Sequence, residues 1–246
     1  QIFRLFGYAG TGKTTLARHF AEHVDGQVQF AAFTGKAAQV LRSKGATNAR
    51  TIHSLIYRPR GEEAVSDETT GKTSMSPTFS LNRQSPISRA KLVVVDECSM
   101  VDEQLGRDLM TFGTPILVLG DPAQLPPISG GGFFTEHEPD VLLTEIHRQA
   151  RDNPIIRLAL DVREGREFMK GDYGTAQVIG REEVNQELVL AADQVLVGTN
   201  RTRRRYNMRL RELKGFEGLL PMAGDKLGGK IGYDVLDQEE PFGISA

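Results

Sequence analysis

The feature that most constrains this chain is the octapeptide Gly7-Tyr8-Ala9-Gly10-Thr11-Gly12-Lys13-Thr14, set between an apolar run at residues 2–6 and a helical pattern at residues 13–24. It fits G-x-x-x-x-G-K-[ST] in full, and a strand before it with a helix after it is the context such a loop requires. The glycines let backbone N–H groups converge on phosphate oxygens, and the start of the helix adds partial positive charge. Lys13 is expected to bridge the β- and γ-phosphates of a nucleoside triphosphate and the Thr14 hydroxyl to hold Mg²⁺. Gly7, Ala9, Gly10, Thr11, Gly12 and Thr15 would complete the nucleotide cradle. An ordinary glycine-rich turn explains the glycines. It does not explain a Lys-Thr pair opening an amphipathic helix that carries Leu16, Ala17, Phe20, Ala21 and Val24.

Further short apolar runs at residues 28–33, 92–95, 116–119 and 195–197 are too short for helices and lack strict alternation. Such runs suit strands buried on both faces, as in a parallel sheet. Helical patterns follow at residues 36–42 and from about residue 155, so the predicted fold is α/β and doubly wound. Residues 58–89 break the alternation. They are rich in Ser, Thr, Pro and charge, and read as a long loop that is either a surface insertion or functional. From about residue 151 weaker elements predict a second lobe, and the tail after Gly224 has no readable pattern.

The run Leu92-Val93-Val94-Val95 ends in Asp96-Glu97. A buried strand ending in Asp puts a carboxylate at the C-terminal edge of the sheet, where ligands of such sheets bind. Asp96 is expected to hold Mg²⁺, and Glu97, one step beyond, to polarise an attacking water as general base. The paired acids favour hydrolysis over phosphoryl transfer to a substrate, which disfavours a small-molecule kinase. Cys98, on the same turn, reads as a small buried filler rather than a reactive thiol, because no cation is adjacent in sequence.

Composition adds exclusions. The chain has 246 residues and a net charge of −2, so any nucleic-acid surface must be a local patch. Its densest basic stretch is Arg201, Arg203, Arg204, Arg205, Arg209, Arg211 and Lys214, which reads either as a solvated helix face or as a phosphate-contacting patch. One cysteine allows no internal disulfide and fits a reducing, cytoplasmic setting. No apolar run has the length of a membrane span and no signal peptide is visible. The chain opens inside a strand-like run, so it reads as a piece of something longer.

Six blocks in one order then resemble the superfamily-1 helicases, within them the 5′-to-3′ (1B) branch of RecD-like and Dda-type enzymes. GYAGTGKTT looks like motif I, FTGKAAQVL like Ia, TIHSLI like Ib, VVVDECSMVD like II, VLGDPAQLPPI like III and LTEIHRQ like IV. The stretch VLVGTNRTRRRYN resembles the second motor domain less specifically. The resemblance implies a RecA-like P-loop NTPase sheet (residues 1–57 and 90–150), a small inserted 1B-like segment (58–89) and an incomplete second RecA-like domain (151–246).

It further implies an ATP-driven motor on single-stranded DNA or a DNA fork, with ATP and Mg²⁺ as cofactors and with repair or recombination as settings. Gln124 would contact the γ-phosphate and the attacking water, and Arg148 would act as an arginine finger. Asp121 would hold the motif III loop in shape or touch the magnesium shell. Thr34, Gly35, Lys36, Thr51, His53 and Ser54 would meet the DNA backbone, and Phe79 in the insertion would either stack on a base at the fork or anchor local packing. Motifs V and VI are not found, and the glutamine that reads adenine in the family would precede Gln1. The expectation is therefore that this stretch alone binds nucleotide weakly and hydrolyses it poorly. Alternatives of other kinds are an RNA-directed helicase and a nucleic-acid-dependent ATPase switch that does not unwind.

Overall fold

Along each buried strand, successive side chains enter opposite hydrophobic layers, and this lets short apolar runs without polar alternation form a sheet. The computed structural model describes residues 1–66, 73–127, 130–146, 152–167, 169–216, 222, 227–229 and 242–244. Its first part contains β1 (Ile2–Gly7), α1 (Lys13–Glu22), β2 (Val28–Ala32), α2 (Gly35–Ser43), β3 (Arg50–Thr51) and α3 (Ile52–Ile56). There follow β4 (Tyr57–Ser66), β5 (Thr73–Leu81), β6 (Leu92–Asp96), α4 (Glu103–Met110), β7 (Ile116–Gly120), β8 (Val141–Leu143) and α5 (Pro154–Arg163). Six strands form one sheet in the order β3-β2-β6-β7-β1-β8, and every pairing in it is parallel.

One layer of the core holds Phe6, Val93, Val95, Ile116 and Val118, packed with Ile52, Leu55, Ile56, Leu109 and Phe134. The other holds Leu5, Val94, Leu117 and Leu119, packed with Ala17, Ala38 and Leu41. Helices α1 and α2 thus cover one face, and α3 and α4 the other, as expected for a doubly wound α/β fold. Side chains fix the helix starts. Thr34, Thr51, Asp102 and Asn153 each accept a backbone N–H as the N-cap of α2, α3, α4 and α5, and Pro154 occupies the first turn of α5.

Three elements differ from the sequence expectation. Residues 58–89 do not read as strand, yet β4 and β5 form an antiparallel hairpin with register from Tyr57↔Leu81 to Ser66↔Thr73. Its ladder is made by the backbone, which tolerates the polar composition, and the register shifts between Pro59 and Gly61. The same segment then returns to the core: Ser85 caps a 3₁₀ turn at Pro86–Arg89, and Ile87 is buried. The chain divides into compact units Gln1–Glu167 and Phe168–Ala246, so α5 belongs with the first unit and the division falls later than residue 150. Residues 195–197 form no strand; Leu196 is 84% exposed and has no strand partner among the described residues.

The second unit contains the short antiparallel pairs β9 (Gly171–Asp172) with β10 (Gln177–Val178) and β11 (Leu227–Gly229) with β12 (Phe242–Ile244). It also contains α6 (Gln186–Ala191) and α7 (Asn200–Leu213). The basic stretch lies on α7, where Arg209 pairs with Glu212 at 3.0 Å and Arg211 is buried. Among the described residues no helix is long and apolar enough to cross a membrane.

Gly120 ends β7 where the chain passes the turn after β6. A Cβ on Gly120 would lie 2.6 Å from Cys98 Sγ, inside van der Waals contact. Gly120→Ala is therefore expected to destabilise the protein by about 1–3 kcal/mol through overpacking, measured by chemical denaturation. Unchanged stability would show that this contact relaxes freely. Cys98 is fully buried, and desolvation followed by the nearby Asp96 charge pushes its thiol up to about 12. At pH 8 an aromatic disulfide reagent should label Cys98 only as fast as the protein unfolds; rapid labelling in native buffer would contradict the packing described.

Candidate active site

The β1–α1 loop, whose glycine pattern marked it in the sequence, wraps the N-terminus of α1. Gly10 and Gly12 sit at φ 78° and 81°, the left-handed region that only glycine enters at little cost. Gly12 is the N-cap residue of α1, with no side-chain cap and no acidic residue in the first turn. The opening N–H groups of this helix are therefore not taken up by a capping side chain, which is the arrangement of an anion site. The Lys13 ammonium donates to the Gly7 carbonyl at 2.6 Å and the Tyr8 carbonyl at 3.0 Å. Burial lowers its pKa, while Asp121, Glu97 and Asp96 act the other way. A phosphate arriving here would compete with two loop carbonyls for the ammonium.

Register brings the acids to the same edge. Phe6 pairs with Gly120 and Val95 with Val118, so β1, β6 and β7 end together. The Thr14 hydroxyl donates to Asp96 Oδ2 at 2.9 Å, across 82 positions of sequence. Two hard oxygen donors face each other there, the chemistry that suits Mg²⁺ bound by few protein ligands together with substrate phosphates. Thr14 and Asp96 thus fit the ion that the sequence implies. Among the described residues no group of three or more His, Cys, Asp or Glu is arranged to hold a metal on its own.

Glu97 follows with φ 54°, the one non-glycine residue at positive φ among those described. Such a conformation costs roughly 1–3 kcal/mol and persists only where surroundings impose it. The Glu97 N–H donates to Asp96 Oδ1 at 2.9 Å, which helps to fix the turn. The outer side of Glu97 is open to solvent. Partial desolvation, and then the Asp96 charge, nevertheless raise its pKa above the ordinary carboxylate range, and Lys13 opposes them. A carboxylate tuned upward beside a phosphate cradle has the character of a general base.

After β7, Asp121 is buried, and its Oδ1 accepts the Ala123 N–H at 3.1 Å. Its carbonyl accepts the Gln124 N–H at 3.0 Å, closing a turn that leaves Gln124 exposed at the strand edge. Asp121 also forms an ion pair with Arg163 at the end of α5, and the Arg163 guanidinium carbon lies 4.2 Å from the Tyr8 ring centroid. Sequence reasoning missed Arg163. Its partner is 42 positions away, and no local signal separates it from a solvated arginine at a helix end. Arg148 lies outside the described residues. A cavity of about 440 Å³ adjoins the loop, lined by Tyr8, Thr144, Ile146, Ile156, Arg157, Leu160 and Glu164.

The candidate DNA residues leave the same sheet edge from its other half. Ala32 pairs with Asp96, and Ala31 and Ala32 pair with Arg50 and Thr51, so α2 and α3 start beside each other at that edge. Thr34 Oγ1 accepts the Ala37 N–H at 3.1 Å, and Gly35 and Lys36 open α2. Thr51 and Ser54 are committed locally: Thr51 donates to Ser54 Oγ at 2.9 Å, and Ser54 donates to the Thr51 carbonyl at 3.0 Å. His53 stands edge-on to Tyr57 and Phe79, with centroids 4.7 and 4.6 Å away. Phe79 pairs with Pro59 near the base of the hairpin, a position that favours the packing role.

Comparison with known proteins places this geometry. Residues 1–179 match the family profile AAA_30, described as AAA domain. The ATP-dependent RecD2 DNA helicase of Deinococcus radiodurans is 33% identical over 182 residues, which cover 70% of this chain and 23% of that protein. A conjugal transfer protein TraA of Rhizobium radiobacter is 29% identical over 67% of this chain and 14% of its own. Among solved structures, the Pif1 helicase from Bacteroides in complex with ADP-AlF3 and ssDNA matches with a TM-score of 0.50 and 19% identity. That match covers 100% of this chain and 59% of the other, and at this identity it speaks for the fold alone. The chain thus spans less than a quarter of the RecD2 relative and well under two thirds of the Pif1 structure. The P-loop, the Asp96-Glu97 strand end and the Gly120–Gln124 turn lie on one parallel edge, and with the profile match over residues 1–179 this chain is a member of the AAA_30 family.

Proposed function

We propose that this chain supplies the ATP-binding and hydrolysing part of a motor that moves 5′-to-3′ along single-stranded DNA. The observation that carries the reading is the Thr14–Asp96 hydrogen bond at 2.9 Å, with Glu97 in a strained turn next to it and Lys13 opening α1 against the glycine-rich loop. In this reading Lys13 and the α1 N-terminus bind the phosphates. Thr14 and Asp96 hold Mg²⁺, which neutralises phosphate charge, and the nucleotide base enters the cavity beside Tyr8, whose volume suits a small ligand. Glu97 accepts a proton from the attacking water, and Gln124 orients that water, since a side-chain amide can accept from water and donate to phosphate. Arg148 supplies the compensating charge as phosphoryl transfer proceeds.

DNA as the track is supported by the similarity to the RecD2 relative, a DNA helicase. Thr34 keeps its hydroxyl hydrogen for a phosphate while its oxygen caps α2, and Lys36 adds charge in the first turn. Thr51 and Ser54 would have to exchange internal bonds for DNA contacts, and His53 would contribute through the helix start it occupies.

In the intact protein, single-stranded DNA should stimulate ATP hydrolysis more than RNA does, and a duplex with a 5′ tail should unwind in preference to one with a 3′ tail. Lys13→Ala and Glu97→Gln should each lower the stimulated rate about 100-fold or more, and Glu97→Gln should still bind ATP. DNA-stimulated hydrolysis without strand separation would favour a non-unwinding switch, and hydrolysis indifferent to DNA would contradict the motor reading. Equal stimulation by RNA would shift the track, and preference for a 3′ tail would reverse the polarity.

A further inference from the structure

A buried carboxylate needs a partner, and in the turn after β7 that partner comes from far along the chain. The Asp121 side chain is 6% exposed and the Arg163 side chain 19%, and the two form an ion pair. Replacing such a pair with apolar groups commonly costs nothing, so the pair is weak as a stabilising device and better suited to fixing register. Its surroundings give that register a purpose. The Asp121 oxygen that meets Arg163 also accepts the Ala123 N–H, and the Asp121 carbonyl accepts the N–H of Gln124. On its other side the guanidinium rests 4.2 Å from the centroid of Tyr8, whose carbonyl receives the Lys13 ammonium at 3.0 Å. One side chain therefore touches the turn that carries Gln124 and the loop whose Tyr8 carbonyl holds the Lys13 ammonium. A guanidinium can pair and stack at once, which an ammonium does poorly.

We propose that Arg163 is a positioning residue for nucleotide hydrolysis: its ion pair with Asp121 and its stacking on Tyr8 hold the Gln124 turn in register with the P-loop. The inference rests on the hydrolytic reading above. Helix α5, which ends in Arg163, is then the element that senses relative movement of loop and turn, since a change in the P-loop shifts Tyr8 under the guanidinium.

The test uses the intact protein with single-stranded DNA, comparing wild type with Arg163→Ala, Arg163→Lys, Asp121→Asn and the double variant Arg163→Ala/Asp121→Asn. Asp121→Asn keeps an amide oxygen that can accept the Ala123 N–H, removes the charge that pairs with Arg163 and turns the other oxygen into an NH2 donor. Both alanine and asparagine single variants should lower kcat about tenfold or more while KM for ATP changes less than about threefold. Arg163→Lys should recover part of the loss, through charge without stacking. Arg163→Ala leaves a buried carboxylate unpaired and will melt early, so the double variant is decisive. It should melt closer to wild type than Arg163→Ala, yet stay as slow as either single variant. Recovery of wild-type kcat along with stability would overturn the inference, because the pair would then serve folding alone. So would Arg163→Ala with wild-type kcat. A wild-type protein that hydrolyses no ATP at all is a different result: it removes the hydrolytic reading itself and this inference with it.

Discussion

Strand β7 pairs in parallel with β1 on one side and β6 on the other, so three loops from distant parts of the chain leave the sheet at one edge. Parallel pairing admits this only because both faces are covered, by α1 and α2 on one layer and α3 and α4 on the other. A register slip would turn each buried side chain into the wrong layer, and the fully buried Val93, Val94 and Val95 make it costly. The 2.9 Å contact of Thr14 with Asp96 follows from that register rather than from any local preference.

Charge at this edge is arranged for a charged visitor. Asp96, Glu97 and Asp121 act on Lys13, and Asp121 also pairs with Arg163. A magnesium nucleotide offers the complement to both sets, its metal to the oxygens and its phosphates to the ammonium and helix start. The positive φ of Glu97 belongs to the same economy. Backbone strain at a residue whose neighbours fix it is a common mark of a functional turn, and here it projects a carboxylate beyond the strand end.

Much of this was legible in sequence because its causes are local. The spacing of Gly7, Gly12, Lys13 and Thr14 and the apolar run into Asp96-Glu97 dictate loop, helix and strand within about a dozen residues. Strands β1, β2, β6 and β7 fall where the apolar runs lie, whereas the short edge strands β3 and β8 lie outside those runs. The hairpin at Tyr57–Leu81 was not legible, since its ladder depends on backbone pairing and its side chains are mostly polar. The apolar triplet at 195–197 read as a strand, but without a neighbouring strand among the described residues its composition decides nothing. Arg163 was invisible for a third reason. Its meaning comes from a pairing across 42 positions, which no window along the chain contains.

The central claim is that Thr14, Asp96, Lys13 and the α1 N-terminus together form one Mg²⁺-dependent triphosphate site. Calorimetric titration of a non-hydrolysable ATP analogue, with Mg²⁺ and with chelator, tests it most directly. The account predicts one site per chain, at least about tenfold tighter with Mg²⁺, a difference erased by Asp96→Ala. Binding of equal strength in chelator, or Mg²⁺ dependence that survives Asp96→Ala, would contradict it.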